Sequence, residues 1–127
     1  MTPTEAIELL QYVLAHLWMI RNFLKHAEEV QDDEEMLDVH RLLYDSIRAV
    51  EPAHQRGDTA EYLRRLRGKL AKLKRAAEFF AVEYKRVSSH TNFEMAALSL
   101  TGAVRRMDEI FASIVDLAPD SGNPFSL

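Results

Sequence analysis

The sequence predicts an all-α protein that folds as an antiparallel, up-down-up-down four-helix bundle. Apolar residues recur at spacings of three and four in four long segments, which is the pattern of helices with one buried side. Each segment is preceded by a short oxygen-bearing side chain with an acid three residues later, the signature of a capping box. The connections between the segments are short, and short connections favour antiparallel neighbours.

The first helix is predicted from about residue 3 to Val30. It opens with Thr2-Pro3-Thr4-Glu5, and Pro3 takes the first helical position, where a missing N–H costs nothing. Its apolar stripe consists of Leu10, Val13, Leu17, Ile20, Leu24 and Ala27. This stripe accounts for one side of the helix and leaves further large apolar residues outside it.

The second helix is predicted over residues 33–50, after the box Asp32-Asp33-Glu34-Glu35. Its stripe consists of Met36, Val39, Leu43, Ile47 and Val50. We expect Pro52 to end the regular part of this helix, because proline disfavours the α conformation in the residue before it.

The third helix is predicted over residues 59–88, after Asp58-Thr59-Ala60-Glu61, and its leucine-rich stripe is an unbroken heptad seam. The fourth is predicted over residues 92–117, after Thr91-Asn92-Phe93-Glu94. Residues 1–118 are therefore predicted to form a single bundle domain. Residues 119–127 are rich in Asp, Ser, Gly and Pro, and we expect a flexible C-terminal tail there.

Composition limits the possible functions. The chain has 127 residues, a net charge of −4 and no cysteine, which excludes a disulfide scaffold, a cysteine zinc site, a thiol nucleophile and a strongly basic nucleic-acid binder. No secretory signal pattern and no apolar run of membrane-spanning length is visible. We therefore expect a cytoplasmic protein that does not enter the membrane.

Charge is segregated along the chain. Residues 28–51 contain nine acids and two arginines, whereas residues 64–75 contain seven bases and no acid. The basic segment could bind phosphate or nucleic acid. However, no aromatic residue interrupts it to stack on a base, and the whole chain is acidic. We expect instead that the acidic second helix pairs with the basic third helix, and that nucleic acid is not a partner.

Large apolar residues outside the predicted stripes indicate a second buried interface. Tyr12, Trp18 and Met19 lie off the seam of the first helix, and Phe79 extends the seam of the third helix around its surface. A thick, irregular bundle could absorb them, but large apolar patches on a surface mark interaction sites, and we expect the second interface. The sequence thus predicts a homo-oligomer, most simply a homodimer, with these four residues in its interface.

Histidines and carboxylates raise the alternative of a metal-binding bundle. A di-iron site requires two Glu-x-x-His motifs on inward faces, and the sequence has one, Glu51 to His54, which contains a proline. A looser metal site could use the acidic pole of the bundle. Its ligands would be His26, Glu29, Asp33 and His90. The apolar seams are sufficient to fold the chain, so no cofactor is expected.

The segment Arg21-Asn22-Phe23-Leu24-Lys25-His26 resembles the Arg-Asn-x-x-x-His motif of HEPN-type helical ribonucleases. That family builds helical bundles, usually dimeric, and the resemblance implies that Arg21 and His26 would be a catalytic pair acting on RNA. The residues taken together favour a different function, a non-enzymatic interaction or regulatory module that self-associates. The ribonuclease and the metal-binding bundle are the alternatives.

Overall fold

The computed structural model describes residues 1–115 and confirms the predicted fold class, with four long helices and no strand within that range. The elements are α1 (Pro3–His26), a short 3-10 turn (Glu28–Val30), α2 (Glu34–Gln55), α3 (Thr59–Val87) and α4 (Thr91–Ala112). Each helix packs mainly against its two neighbours in a ring, and α1 also meets α3 across the bundle. The predicted tail lies outside the described residues. The predicted end of the fourth helix at residue 117 is wrong, because α4 stops at Ala112 and Ser113 is its C-cap.

The core is a continuous apolar cluster to which every long helix contributes. The predicted stripes supply most of it, and three aromatic side chains, Tyr62, Phe80 and Phe93, are among the largest that are fully buried. The hydroxyl of Tyr62 donates a hydrogen bond to Gln11 Oε1 of α1 at 2.6 Å. This contact joins the two helices that face each other across the bundle.

The first helix begins as predicted and ends earlier than predicted. Thr2 and Glu5 form a complete capping box, with the two reciprocal bonds at 3.0 and 3.1 Å. The predicted end at Val30 is wrong, because α1 stops at His26 and the chain turns so that Val30 enters the core. The amide of Gln31 donates to two carbonyl oxygens at the end of α1, at 2.7 and 2.9 Å, which satisfies acceptors that the helix leaves open.

The second helix departs from the prediction at both ends. Its N-cap is Asp33, not Asp32, and the Asp33 carboxylate accepts from the backbone N–H of Met36 at 3.1 Å. The prediction that Pro52 ends the regular helix is also wrong, since α2 continues to Gln55. Ala53, in that last turn, is buried in the core, and this packing offsets the hydrogen bond that proline cannot donate.

Two further boundaries are set by local hydrogen bonds. Gly57, with φ of +70°, reverses the chain after α2. Asp58 then caps α3 by accepting from the Glu61 N–H at 3.1 Å. The prediction of a box starting at Thr91 is wrong, because His90 is the N-cap of α4 and its Nδ1 accepts from the Asn92 N–H at 3.0 Å. Histidine can do this because one ring nitrogen of neutral imidazole is an acceptor.

Antiparallel packing closes the ring between the first and last helices. The N-terminal amine of Met1 donates to the carbonyl of Ser113 at 3.1 Å. At the other end of the same pair, the rings of Phe23 and Phe93 meet edge to face with centroids 5.0 Å apart. The start of α1 is therefore level with the end of α4, and α1 has α2 on one side and α4 on the other.

Candidate functional site: the two sides of the first helix

Helix α1 carries large side chains outside the core on both of its sides. Trp18 and Arg21 lie on the side toward α2, where they meet Tyr44 and Arg48, and we call these four residues the α1–α2 cluster. On the outer surface of α1, Tyr12 and Met19 are exposed, and Met19 also borders the groove between α1 and α2. With Met95 and Leu98 of α4 they form what we call the α1–α4 face.

The α1–α2 cluster is a stack of two aromatic rings and two guanidinium groups. The Trp18 and Tyr44 rings have centroids 6.1 Å apart. The Arg21 guanidinium carbon lies 5.0 Å from the Trp18 centroid and 4.6 Å from that of Tyr44. The corresponding distances from Arg48 are 5.5 and 5.2 Å. Trp18 is therefore only partly exposed and is covered by its own chain, through contacts that favour cation–π attraction.

An open groove of about 410 Å³ adjoins this cluster between α1 and α2. It is lined by Gln11, Leu14, Ala15, Trp18, Met19, Ile47, Arg48, Val50, Glu51 and His54. Arg48 at its edge is held by both carboxylate oxygens of Glu51, at 2.7 and 2.8 Å. The charge in this groove is thus already paired within the chain.

The α1–α4 face is different, because nothing in the chain covers it. The exposed fractions of its side chains are 72% for Tyr12, 66% for Met19, 62% for Leu98 and 49% for Met95. Residues seven apart, such as Tyr12 and Met19, share one side of a helix, and so do residues three apart, such as Met95 and Leu98. These four account for most of the large apolar side chains exposed within residues 1–115.

A groove of about 280 Å³ lies between the two rows of this face, lined by Val13, His16, Ser99, Gly102, Ala103 and Arg106. Gly102 lies inside α4, where glycine is about 0.5–1 kcal/mol less stable than alanine. A Cβ built on Gly102 would meet no atom within 4 Å. Packing within the chain therefore gives no reason for a glycine at this position.

Phe79, the fourth predicted interface residue, lies on neither side of α1. It is partly buried against the core at the α2–α3 boundary, in an open cavity of about 280 Å³ that also includes Glu35, Asp38 and Arg75. The four predicted interface residues thus fall in three places. Tyr12 and Met19 share an exposed face, whereas Trp18 and Phe79 pack against their own chain.

The proposed metal ligands are not brought together. Within residues 1–115 no group of three or more His, Asp and Glu side chains is placed to hold a metal ion. Two of the four candidates are occupied by other bonds: His90 caps α4, and the Asp33 carboxylate caps α2. His26 is the exposed last residue of α1, and Glu29 is exposed in the following turn.

The Arg21 and His26 pair suggested by the ribonuclease resemblance is also separated. Arg21 is partly buried and stacks on the α2 side, while His26 is exposed at the end of α1. Five residues correspond to about 140° around a helix, so the two side chains point to different sides. Within one copy of the chain they do not form a common site.

His40 of α2 flanks the predicted core stripe, where the sequence favours a partly buried histidine, and the structure buries it. Its imidazole Nε2 has no hydrogen-bond partner within residues 1–115. Burial lowers the pKa of His40 below its ordinary value, and the positive charge of Arg21 lowers it further. Both effects disfavour the charged form of the imidazole.

Charge pairing between α2 and α3 is concentrated near the start of α2. The Arg86 guanidinium binds the Asp33 carboxylate and lies 3.3 Å from Glu35. The Arg86 bond, and then the Met36 N–H, hold the pKa of Asp33 below its ordinary value. This part of the expected pairing is present, although Arg86 lies outside the basic segment.

The basic segment itself uses other partners. Arg64 and Arg65 both bind Glu61 of their own helix, and Lys74 pairs with Asp108 of α4 at 3.1 Å. For these three bases the expectation of partners in α2 is wrong. Glu61 lies one helical turn from Arg64 and Arg65 and is therefore close to both, whereas the partner of Lys74 belongs to α4.

Comparisons with protein-family models, with curated proteins and with solved structures found no match to this chain. None of the helices in residues 1–115 combines the length and apolar character needed to cross a bilayer. Function is therefore inferred from the chain's own geometry.

Proposed function

We propose that this chain is a non-enzymatic helical-bundle interaction module that self-associates through the α1–α4 face. One observation carries the proposal: Tyr12, Met19, Met95 and Leu98 are about half exposed or more, on one face of two neighbouring helices. Such side chains are usually covered in soluble proteins, and a contiguous exposed patch of them marks an interaction site.

The size of the face is adequate for a specific dimer. Two helices side by side are about 20 Å wide, and a helix of 22 residues is about 33 Å long. The face therefore offers on the order of 600 Å² per copy, near the roughly 800 Å² per partner of a standard interface. A twofold dimer uses the same patch twice, and this is the commonest form of closed oligomer.

A cytoplasmic location is part of the proposal. The absence of cysteine is consistent with a reducing compartment, where disulfides do not contribute to stability.

Sedimentation equilibrium of the unaltered chain tests the proposal. We expect the mass to rise from one chain toward two across the micromolar range. A mass that stays at one chain up to hundreds of micromolar would contradict self-association, and with it the proposed function.

A further inference from the structure

We infer that the partner on the α1–α4 face is a second copy whose α4 lies against α1 of the first, related by a twofold axis parallel to the helices. This inference rests on the proposed function and specifies its geometry. Three features of the face support this arrangement: the positions of the residues along the two helices, the groove at Gly102, and the charges at one end.

The level of a residue is its height along the bundle axis, and contacts within one chain show which residues of α1 and α4 share a level. Met1 is level with Ser113, and Phe23 is level with Phe93. Between these ends, His16 and Gly102 line the same groove. A twofold axis parallel to the helices does not change the height of a residue along the bundle. Each residue of α1 therefore faces, on α4 of the second copy, the residues that lie at the same height on α4 of its own copy.

The groove is shaped for a side chain that the chain itself presents at that level. Tyr12 is one helical turn from His16 and is largely exposed, so its ring stands beside the groove rather than in it. The twofold axis places Tyr12 of each copy over Gly102 of the other. The missing Cβ at Gly102 then has a reason, because it lets the ring approach the helix backbone.

The remaining apolar residues match in the same arrangement. Met19 lies between His16 and Phe23 along α1, and so is level with the part of α4 that carries Met95 and Leu98. Across the axis, Met19 of one copy therefore meets Met95 and Leu98 of the other. All four exposed apolar side chains of the face become covered at once.

The charges distinguish this arrangement from its main competitor. Glu8 lies between Met1 and Val13 on α1, where it also borders the end of α2, and it is level with Arg106. Within residues 1–115 neither Glu8 nor Arg106 forms an ion pair. The parallel axis places Glu8 of each copy against Arg106 of the other. A twofold axis perpendicular to the helices would instead pair α1 with α1 and place Glu8 far from Arg106.

The first experiment compares Gly102→Leu with Gly68→Leu by sedimentation equilibrium. Both glycines lie inside helices, and a Cβ at either meets no atom within 4 Å, so both variants are expected to fold. We expect Gly102→Leu to weaken the dimer by at least about tenfold, because the new side chain fills the groove meant for Tyr12, and Gly68→Leu to leave it unchanged. Circular dichroism checks the helix content of both.

The second experiment mixes two charge variants, Glu8→Arg and Arg106→Glu. Each alone places like charges in both contacts of its own dimer, so we expect each to dimerise more weakly than the unaltered chain. In the mixture both contacts of the heterodimer join opposite charges, and we expect association to recover. Loss of a Glu8 to Arg106 contact within one chain could not be repaired by mixing.

The outcomes separate the two claims. An unaltered chain that is monomeric overturns the proposed function and this inference together. A dimer in which Gly102→Leu associates as well as Gly68→Leu, or in which the mixed charge variants do not recover, overturns the inference and leaves the proposed function in place.

Discussion

The two sides of α1 show two ways in which a bundle deals with large side chains outside its core. On the α2 side, Trp18 is covered by Tyr44 and by two guanidinium groups of its own chain. On the α4 side, Tyr12 and Met19 have no such cover. The comparison shows that an aromatic residue off the core seam does not by itself indicate a partner. What indicates one is the absence of intramolecular cover.

The largest expected effect is on the α4 side. Met19→Glu combined with Leu98→Glu should weaken the dimer by about 1000-fold, or about 4 kcal/mol, since each large apolar side chain contributes roughly 1.5–3 kcal/mol when buried. Both residues are exposed in the single chain, so its helix content should not change. Light scattering measures the effect. Val82→Glu, at a 75% exposed residue of α3, is the control and should leave the dimer intact.

The opposite result is expected on the α2 side. Trp18→Ala should lower the free energy of unfolding by about 2–3 kcal/mol, because it removes a partly buried ring and its cation–π contacts. Urea unfolding at a fixed protein concentration measures this. The dimerisation constant should stay the same. A Trp18 variant that loses the dimer but keeps its stability would reverse our assignment of the two sides.

A smaller effect is expected from His40, which lies beside the α1–α2 cluster. Its pKa in the folded chain is lowered below the ordinary 6.5, first by burial and then by Arg21. As the pH falls below 6.5, His40 of the unfolded chain therefore takes up a proton, whereas His40 of the folded chain does not. Stability should be highest above that pH and decrease as the pH falls toward the lowered pKa.

Two variants isolate this dependence by urea unfolding across the mildly acidic range. His40→Leu should remove the His40 contribution to the pH profile. Arg21→Met should reduce it, because one of the charges that lowers the pKa of His40 is lost. Profiles that are the same with and without His40 would show that another group is responsible.

The smallest effect is expected from removal of metal ions. EDTA should leave the melting temperature unchanged, because the fold is held by the apolar core and residues 1–115 contain no group of three or more metal-ligating side chains. Differential scanning calorimetry with and without the chelator measures the melting temperature of the whole chain. A decrease of many degrees would restore the metal-binding alternative.

Much of the fold could be predicted from the sequence, because the helix period is a local property. Residues such as Leu10, Leu43 and Leu100 are buried as their spacing predicted. Helix ends were less predictable. Pro52 disfavours the helix locally, yet the burial of Ala53 outweighs that preference, and such an outcome depends on the neighbouring helices.

The candidate site was predicted only in part. Periodicity separates Tyr12, Trp18 and Met19 from the core stripe, but it does not say which of them another helix covers. A signal for the cover of Trp18 was present in the spacing of Trp18 to Arg21 and of Tyr44 to Arg48, one helical turn each. The proximity of the two pairs depends on how α1 and α2 pack.

The sequence by itself determined that this chain forms four helices, where their apolar sides lie, and that neighbouring helices run antiparallel. These follow from hydrophobic period and short connections, which act over a few residues. Only the tertiary structure decided that Arg21 stacks on Tyr44 while His26 points away, and that Gly102 lies in an open groove beside His16. Residues far apart in sequence meet only when all the helices pack together, and the rotation of each helix about its axis settles which side chains stay exposed.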